Sequence, residues 1–174
     1  MEAQFLIGGF GGQGVLLIGQ LLAKAAMREG KEVSWMPSYG PEMRGGEANC
    51  AVVISDEPIG SPLVTEPPIA VMLNKPAMQK FVQQMEKGGL LLYNSSLIDV
   101  KPGREDITAV PIPLNEIADG LGNSRTANMV MLGAILERTK IVSVESAMEA
   151  LKDAFGPKKE HLLPINRQAM EAGG

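Results

Sequence analysis

The stretch Gln4-Phe5-Leu6-Ile7-Gly8-Gly9-Phe10-Gly11-Gly12-Gln13-Gly14-Val15-Leu16-Leu17-Ile18 decides the fold. Its first four residues are apolar apart from Gln4 and are cut off at once by glycine, which predicts a short buried strand. From Gly12 to Glu29 there is no proline and good helix formers dominate. Apolar Val15, Leu16, Ile18, Leu22 and Ala26 cover most of the circumference, so the sequence predicts a helix over 12–29 that is buried on more than one side. Strand, glycine turn and helix in immediate succession open an α/β domain.

Working outward, Gly30 stops the helix and Val33-Ser34-Trp35-Met36 reads as a second strand ended by Pro37. Residues 47–54 are β-rich, 69–73 form a short apolar strand, and 75–87 read as a helix closed by Gly88-Gly89. A strand at 90–93 follows, then a proline-bearing strand at 108–113 and helices near 114–119 and 125–138. Ser143 caps a helix with Val144, Ala147, Met148, Leu151 and Phe155 at i, i+3, i+4 spacing, stopped by Gly156-Pro157. A last short helix begins at Pro164, where a missing amide costs nothing. The segment 55–68, with four prolines, reads as an excursion from the core. This alternation predicts an α/β, Rossmann-like three-layer domain, its mainly parallel sheet flanked by helices, occupying residues 1–174 as one unit.

Composition narrows the function. Of 174 residues 45% are hydrophobic and 21% charged, as in ordinary globular chains. Sixteen Lys plus Arg against twenty Asp plus Glu give a net charge of −4, which offers no basic field for a nucleic-acid backbone. No apolar run approaches the ~20 residues of a membrane span. An acid at the second position is unlike a signal peptide, so a cytoplasmic location is expected, with neither nucleic acid nor membrane as partner. One cysteine, Cys50, and one histidine, His161, cannot by themselves build an iron–sulfur or zinc site. Cys50 lies in a predicted strand and reads as a small buried hydrophobe, and His161 as a solvated side chain.

Gly9-Phe10-Gly11-Gly12-Gln13-Gly14 satisfies G-x-G-x-x-G after a strand and before a helix, the context that spacing requires. Successive amides and the helix dipole can face a phosphate or carboxylate there, although glycine is also needed simply to pack the helix on the strand. A dinucleotide site expects an acid at the end of the second strand. Here that end reads Trp35-Met36-Pro37-Ser38, which argues against NAD, and the missing Gly-Lys-Ser/Thr excludes a Walker A loop.

A second loop, Ser38-Tyr39-Gly40-Pro41-Glu42-Met43-Arg44-Gly45-Gly46, gathers a hydroxyl, a phenol, a carboxylate and a guanidinium among glycines. It leaves the carboxyl end of a strand on the same rim as the Gly9 turn, so the two loops are expected to share a site. Arg44 offers a planar fork of donors, and Glu42 either holds that fork or meets a partner's cation. Asn123, Arg125 and Asn128 open a later helix and can aim amide and guanidinium groups at a ligand, with capping the simpler role for Asn123.

These two loops, together with Asn123-Ser124-Arg125-Thr126-Ala127-Asn128-Met129-Val130-Met131-Leu132-Gly133, resemble the gamma subunit of 2-oxoacid:ferredoxin oxidoreductases. The form of the second loop is more similar to the 2-oxoglutarate-type branch than to the pyruvate type. The resemblance implies an enzyme that decarboxylates a 2-oxoacid on thiamine diphosphate, sends electrons through iron–sulfur clusters to ferredoxin, and delivers the acyl group to CoA. It implies alpha, beta and delta-type partner subunits carrying thiamine diphosphate, magnesium and the clusters, with ferredoxin an indirect partner. On that reading this chain holds no cofactor alone and no catalytic residue, and helps form a CoA entrance from Gly9, Gly11, Gly12, Gln13, Gly14, Ser38, Tyr39, Gly40, Glu42, Arg44, Gly45, Gly46, Asn123, Arg125 and Asn128. The alternatives from other classes are a free-standing nucleotide-binding or sensor protein on the same frame and a pure scaffold.

Overall fold

The computed structural model describes residues 2–38 and 47–174. A six-stranded sheet runs in the order β2-β3-β1-β4-β5-β6, formed by β1 (Glu2–Phe10), β2 (Glu32–Ser38), β3 (Glu47–Ser55), β4 (Ile69–Met72), β5 (Leu90–Asn94) and β6 (Thr108–Ile112). The run β1-β4-β5-β6 is parallel, while β3 lies antiparallel between β1 and β2. The expected mainly parallel α/β sheet is therefore present, with one reversed strand inside it.

That reversed strand changes the geometry around the first helix. In a dinucleotide-binding fold the second strand lies beside the first. Here β3 separates them, so the end of β2 stands two strand spacings, roughly 10 Å, from the glycine turn. The missing ribose-binding acid thus has a topological counterpart.

Pro37 does not end β2, which continues to Ser38 in register with Asn49. Both strand prolines, Pro37 in β2 and Pro111 in β6, sit on the outermost strands of the sheet, where a missing amide leaves no ladder bond unmade.

Alternate residues of each central strand feed two cores. Phe5 and Ile7 of β1, Val71 of β4 and Leu92 of β5 pack with α1 (Val15–Arg28), α3 (Leu114–Gly120), α4 (Ala127–Thr139), α5 (Val144–Phe155) and α6 (Leu163–Gly173). Leu6, Ala70, Met72 and Leu91 face the other way, against α2 (Lys75–Phe81) and the segment around Ile98. Among the described residues the three layers are unequal: five α-helices on one face and one short α-helix on the other. Each fully buried Leu or Ile contributes roughly 1.5–3 kcal/mol by leaving water, and Ile18, Leu21 and Leu22 of α1 are all fully buried.

Several boundaries differ from the sequence reading. The first helix starts at Val15, because Gly11–Gln13 form a 3-10 turn and Gly14 adopts φ 76°. The helix expected over 75–87 ends at Phe81 and gives way to a 3-10 turn at Val82–Gln84. Residues 124–126 are likewise 3-10, so α4 begins at Ala127. A further 3-10 segment, Pro157–Leu162, precedes α6. Ser143 does cap α5, its hydroxyl accepting from Ser146 N at 3.0 Å.

Candidate functional site

The carboxyl ends of β1, β4 and β5 meet where the chain order reverses, with β1 leading leftward through α1 and β4 continuing rightward. Ligand crevices of open α/β sheets form at such a point, and a cleft of about 480 Å³ lies there. Gln13 and Gly14 line it from the glycine turn, Leu73 and Asn94 from the strand ends, Leu114 and Asn115 from the start of α3, and Ser124, Arg125, Ala127 and Asn128 from the start of α4.

A row of amides builds its floor. Gln13 Oε1 accepts from Phe10 N at 2.7 Å, while Gln13 Nε2 donates to the Leu73 carbonyl at 3.2 Å, tying the end of β1 to the end of β4. Asn94 is 2% exposed; its Nδ2 donates to Asn115 Oδ1 at 2.9 Å and approaches Leu73 O at 3.4 Å. Its Oδ1 accepts from Ser96 N and Leu114 N. The tips are thus committed to one another, and buried amides so paired are rigid.

The glycines divide by role. A Cβ on Gly9 would stand 2.6 Å from Gln13 Oε1 and 2.9 Å from Leu73 Cβ, so Gly9 serves close packing. Gly14 combines φ 76° with contact to Asn128, whose Nδ2 would be 2.3 Å from an added Cβ. Gly11 is exposed on the rim, and Gly12 lies in the 3-10 turn beside it. Asn123 acts as a cap, its Oδ1 accepting from Arg125 N at 3.0 Å. Arg125 is exposed and Asn128 half-buried, and neither side chain forms an ion pair or hydrogen bond among the described residues. With the exposed Ser124, whose hydroxyl is likewise unbonded among the described residues, they offer free polar groups to the cleft.

Ser38 is exposed at the end of β2, opposite Asn49, and Phe10 pairs with Glu47. Both anchors of the second loop therefore stand on the rim of the glycine turn. Tyr39, Gly40, Glu42, Arg44, Gly45 and Gly46 themselves lie outside the described residues.

Sequence reasoning missed Leu73, Asn94, Leu114, Asn115, Ser124 and Ala127. Asn94 and Asn115 carried a usable signal, since each follows a strand predicted to end on the ligand-bearing rim. Cys50 is buried behind α1, and burial pushes its thiol up to about 12, with the Trp35 N–H acting the other way. His161 is exposed. Among the described residues no cluster of three His, Cys, Asp or Glu side chains is placed to hold a metal ion, and no helix is long and apolar enough to cross a membrane.

A family model described as pyruvate ferredoxin/flavodoxin oxidoreductase matches residues 4–174. The chain belongs to that family. Among the family's proteins, the ketoisovalerate oxidoreductase subunit VorA of Methanothermobacter thermautotrophicus is 43% identical over 173 residues, covering 99% of this chain and 36% of VorA. The 2-oxoglutarate synthase subunit KorC of Methanocaldococcus jannaschii is 39% identical and covered over 92% of its length. The chain thus spans only about a third of VorA but nearly all of KorC. The oxidoreductase fold is shared with the gamma subunit of the keto/oxoacid ferredoxin oxidoreductase of Geobacter sulfurreducens, with TM-score 0.82, 31% identity, and coverage of 98% of this chain and 95% of that one. A 2-oxoglutarate:ferredoxin oxidoreductase of Magnetococcus marinus, with 2-oxoglutarate, coenzyme A and succinyl-CoA bound, superposes with TM-score 0.90 at 29% identity, over 99% of this chain and 30% of that one.

Proposed function

We propose that residues 1–174 form one gamma-type domain of a 2-oxoacid:ferredoxin oxidoreductase and that the cleft beside the glycine turn is part of its CoA path. The enzyme would convert a 2-oxoacid, CoA and oxidised ferredoxin into an acyl-CoA, carbon dioxide and reduced ferredoxin. The end-to-end match with KorC favours the 2-oxoglutarate type, whereas the VorA likeness keeps branched 2-oxoacids in play. Alpha, beta and delta-type chains, thiamine diphosphate with magnesium, the iron–sulfur clusters and a cytoplasmic setting belong to the same proposal. Thiamine diphosphate on the partner chains supplies the carbanion chemistry.

This chain's residues supply binding and orientation. The observation that carries the reading is the unpaired Arg125 guanidinium at the mouth of a cleft in which, among the described residues, no carboxylate takes part. In a chain of net charge −4 that arrangement favours an anion. Arg125 presents a fork of donors to a CoA phosphate, Asn128 adds an amide, and the Gln13–Leu73–Asn94–Asn115 row keeps the strand ends from spreading. A free-standing nucleotide sensor has less support, because β3 displaces β2 from the ribose position.

Two measurements test this. Recovering the tagged chain from its native extract should bring thiamine-binding and cluster-bearing chains with it. In that complex, Arg125→Ala and Arg44→Ala should each raise the KM for CoA about tenfold or more, the loss of one charged hydrogen bond worth ~1.5–3 kcal/mol, with the KM for the 2-oxoacid unchanged. Recovery of the chain alone, tightly holding NAD or FAD, would overturn the subunit reading. An unchanged CoA response in both variants would leave a scaffold.

A further inference from the structure

The end of β5 and the start of α3 meet through two side-chain amides whose orientation the backbone dictates. A backbone N–H can only donate, so an amide atom that accepts from two of them must be the oxygen. Asn94 Oδ1 accepts from Ser96 N at 3.1 Å and from Leu114 N at 3.2 Å. Its Nδ2 therefore points the other way, donating to Asn115 Oδ1 at 2.9 Å and approaching Leu73 O at 3.4 Å. Asn115 is fixed in turn. Its oxygen is taken by Asn94, and its own Nδ2 forms no hydrogen bond among the described residues.

The base of this arrangement is held as well. Asn115 N donates to Ser96 Oγ at 3.2 Å, so the residue that carries the second amide is tied to the exit of β5. Asn94 is 2% exposed, which shields its bonds from competing water, while Asn115 is half-buried and lines the main cleft. Asn128 lines the same cleft but has no hydrogen bond among the described residues that fixes which end of its amide faces inward.

We infer that Asn115 Nδ2 is a donor to the ligand of the main cleft and that Asn94 is its positioning residue, holding the amide so that N–H rather than oxygen meets the ligand. The inference rests on the reading of that cleft as an anion path and adds a contact to it: within the row of amides, Asn115 binds as well as braces. A donor oriented before the ligand arrives gives up little rotamer freedom on binding. It also disfavours a ligand that offers a donor at the same place. Freed to turn, the same amide would accept as readily as donate.

The orientation is read without any ligand, from hydrogen exchange of the side-chain amides by NMR on the full chain. Asn94 Nδ2 should exchange roughly tenfold or more slowly than Asn115 Nδ2, the protection of one buried hydrogen bond. Asn94→Asp keeps an acceptor for Ser96 N and Leu114 N but turns a second acceptor towards Asn115, so the Asn115 amide should flip and its Nδ2 exchange slow roughly tenfold. Thermal melting checks that this variant is folded. Equal exchange at the two amides of the native chain, or unchanged exchange at Asn115 in folded Asn94→Asp, overturns the positioning role.

The contact is read in the assembled enzyme. Asn115→Ala should raise the KM for CoA about fivefold, the loss of one neutral hydrogen bond, with kcat and the KM for the 2-oxoacid unchanged. Asn94→Asp should also raise the KM for CoA, and most of that effect should vanish when it is added to Asn115→Ala, because Asn94 acts through Asn115. A full, additive effect in that background marks a general structural or charge effect and overturns the relay. An unchanged KM for CoA in folded Asn115→Ala overturns the contact. If Arg125→Ala still raises that KM, the main-cleft reading stands without it; if neither variant does, the main-cleft reading fails too.

Discussion

Asn128 lies directly over Gly14, so close that a methyl group on residue 14 would come within 2.3 Å of its amide nitrogen. The first residue before α1 and the second residue of α4 are thereby locked together at the mouth of the main cleft, through a backbone conformation at φ 76° that side chains rarely adopt. Gly14→Ala meets both constraints. The left-handed backbone alone should cost about 1–2 kcal/mol, read as a lower urea midpoint. Adding Asn128→Ala should restore only the part due to collision.

Gln13 joins two strand ends with the two halves of one amide. Gln13→Glu keeps the shape and the acceptor for Phe10 N but turns the donor to Leu73 O into a second acceptor. Facing a carbonyl without a proton between them should destabilise the fold by about 1–3 kcal/mol. The added negative charge should also weaken any anion in the cleft, so CoA affinity should fall further than in Gln13→Ala.

Gly133 in α4 marks where α6 crosses in near backbone contact: a Cβ there would lie 1.9 Å from Met170 O. A backbone carbonyl cannot swing away as a side-chain tip can. Gly133→Ala should therefore prise α6 from α4, lowering stability by about 3 kcal/mol or preventing folding, detected by thermal melting or by loss of soluble protein. Gly103, with nothing within 4 Å of the position a Cβ would take, is a contrasting site: any loss there should come from its φ of 79° alone.

Cys50 titrates far from its ordinary value of 9.0, with burial pushing it up to about 12. The folded chain thus favours the neutral thiol. Its contribution is fully present below about pH 9 and is lost as pH rises from there through about 12. A thiol reagent at pH 8 should react slowly with the native chain and rapidly in denaturant. The alkaline fall in unfolding midpoint should be shallower in Cys50→Ala than in the native chain. Fast native labelling at pH 8 would contradict the burial argument.

Local pattern sufficed for much of the architecture. Glycine after Ile7, the proline-free run to Glu29, the capping Ser143 and the i, i+4 face of α5 each report interactions within a few residues, so periodicity exposes them. The 3-10 turns at 11–13, 82–84 and 124–126 escaped because i→i+3 and i→i+4 bonding share nearly the same residue preferences. Gln13, an expected site residue, does line the cleft, but its bonds to Phe10 and to Leu73, sixty residues away, were not legible in the sequence.

By itself the sequence determined the α/β class, the glycine turn after the first strand, the rim that this turn shares with Ser38, and the candidacy of Arg125. Only the tertiary structure decided that β3 runs backwards between β1 and β2 and that Asn94 and Asn115 complete the cleft floor. The division is physical. Propensity and periodicity act over one or two turns of chain, whereas strand order and the meeting of side chains distant in sequence are set by which apolar faces can be buried together.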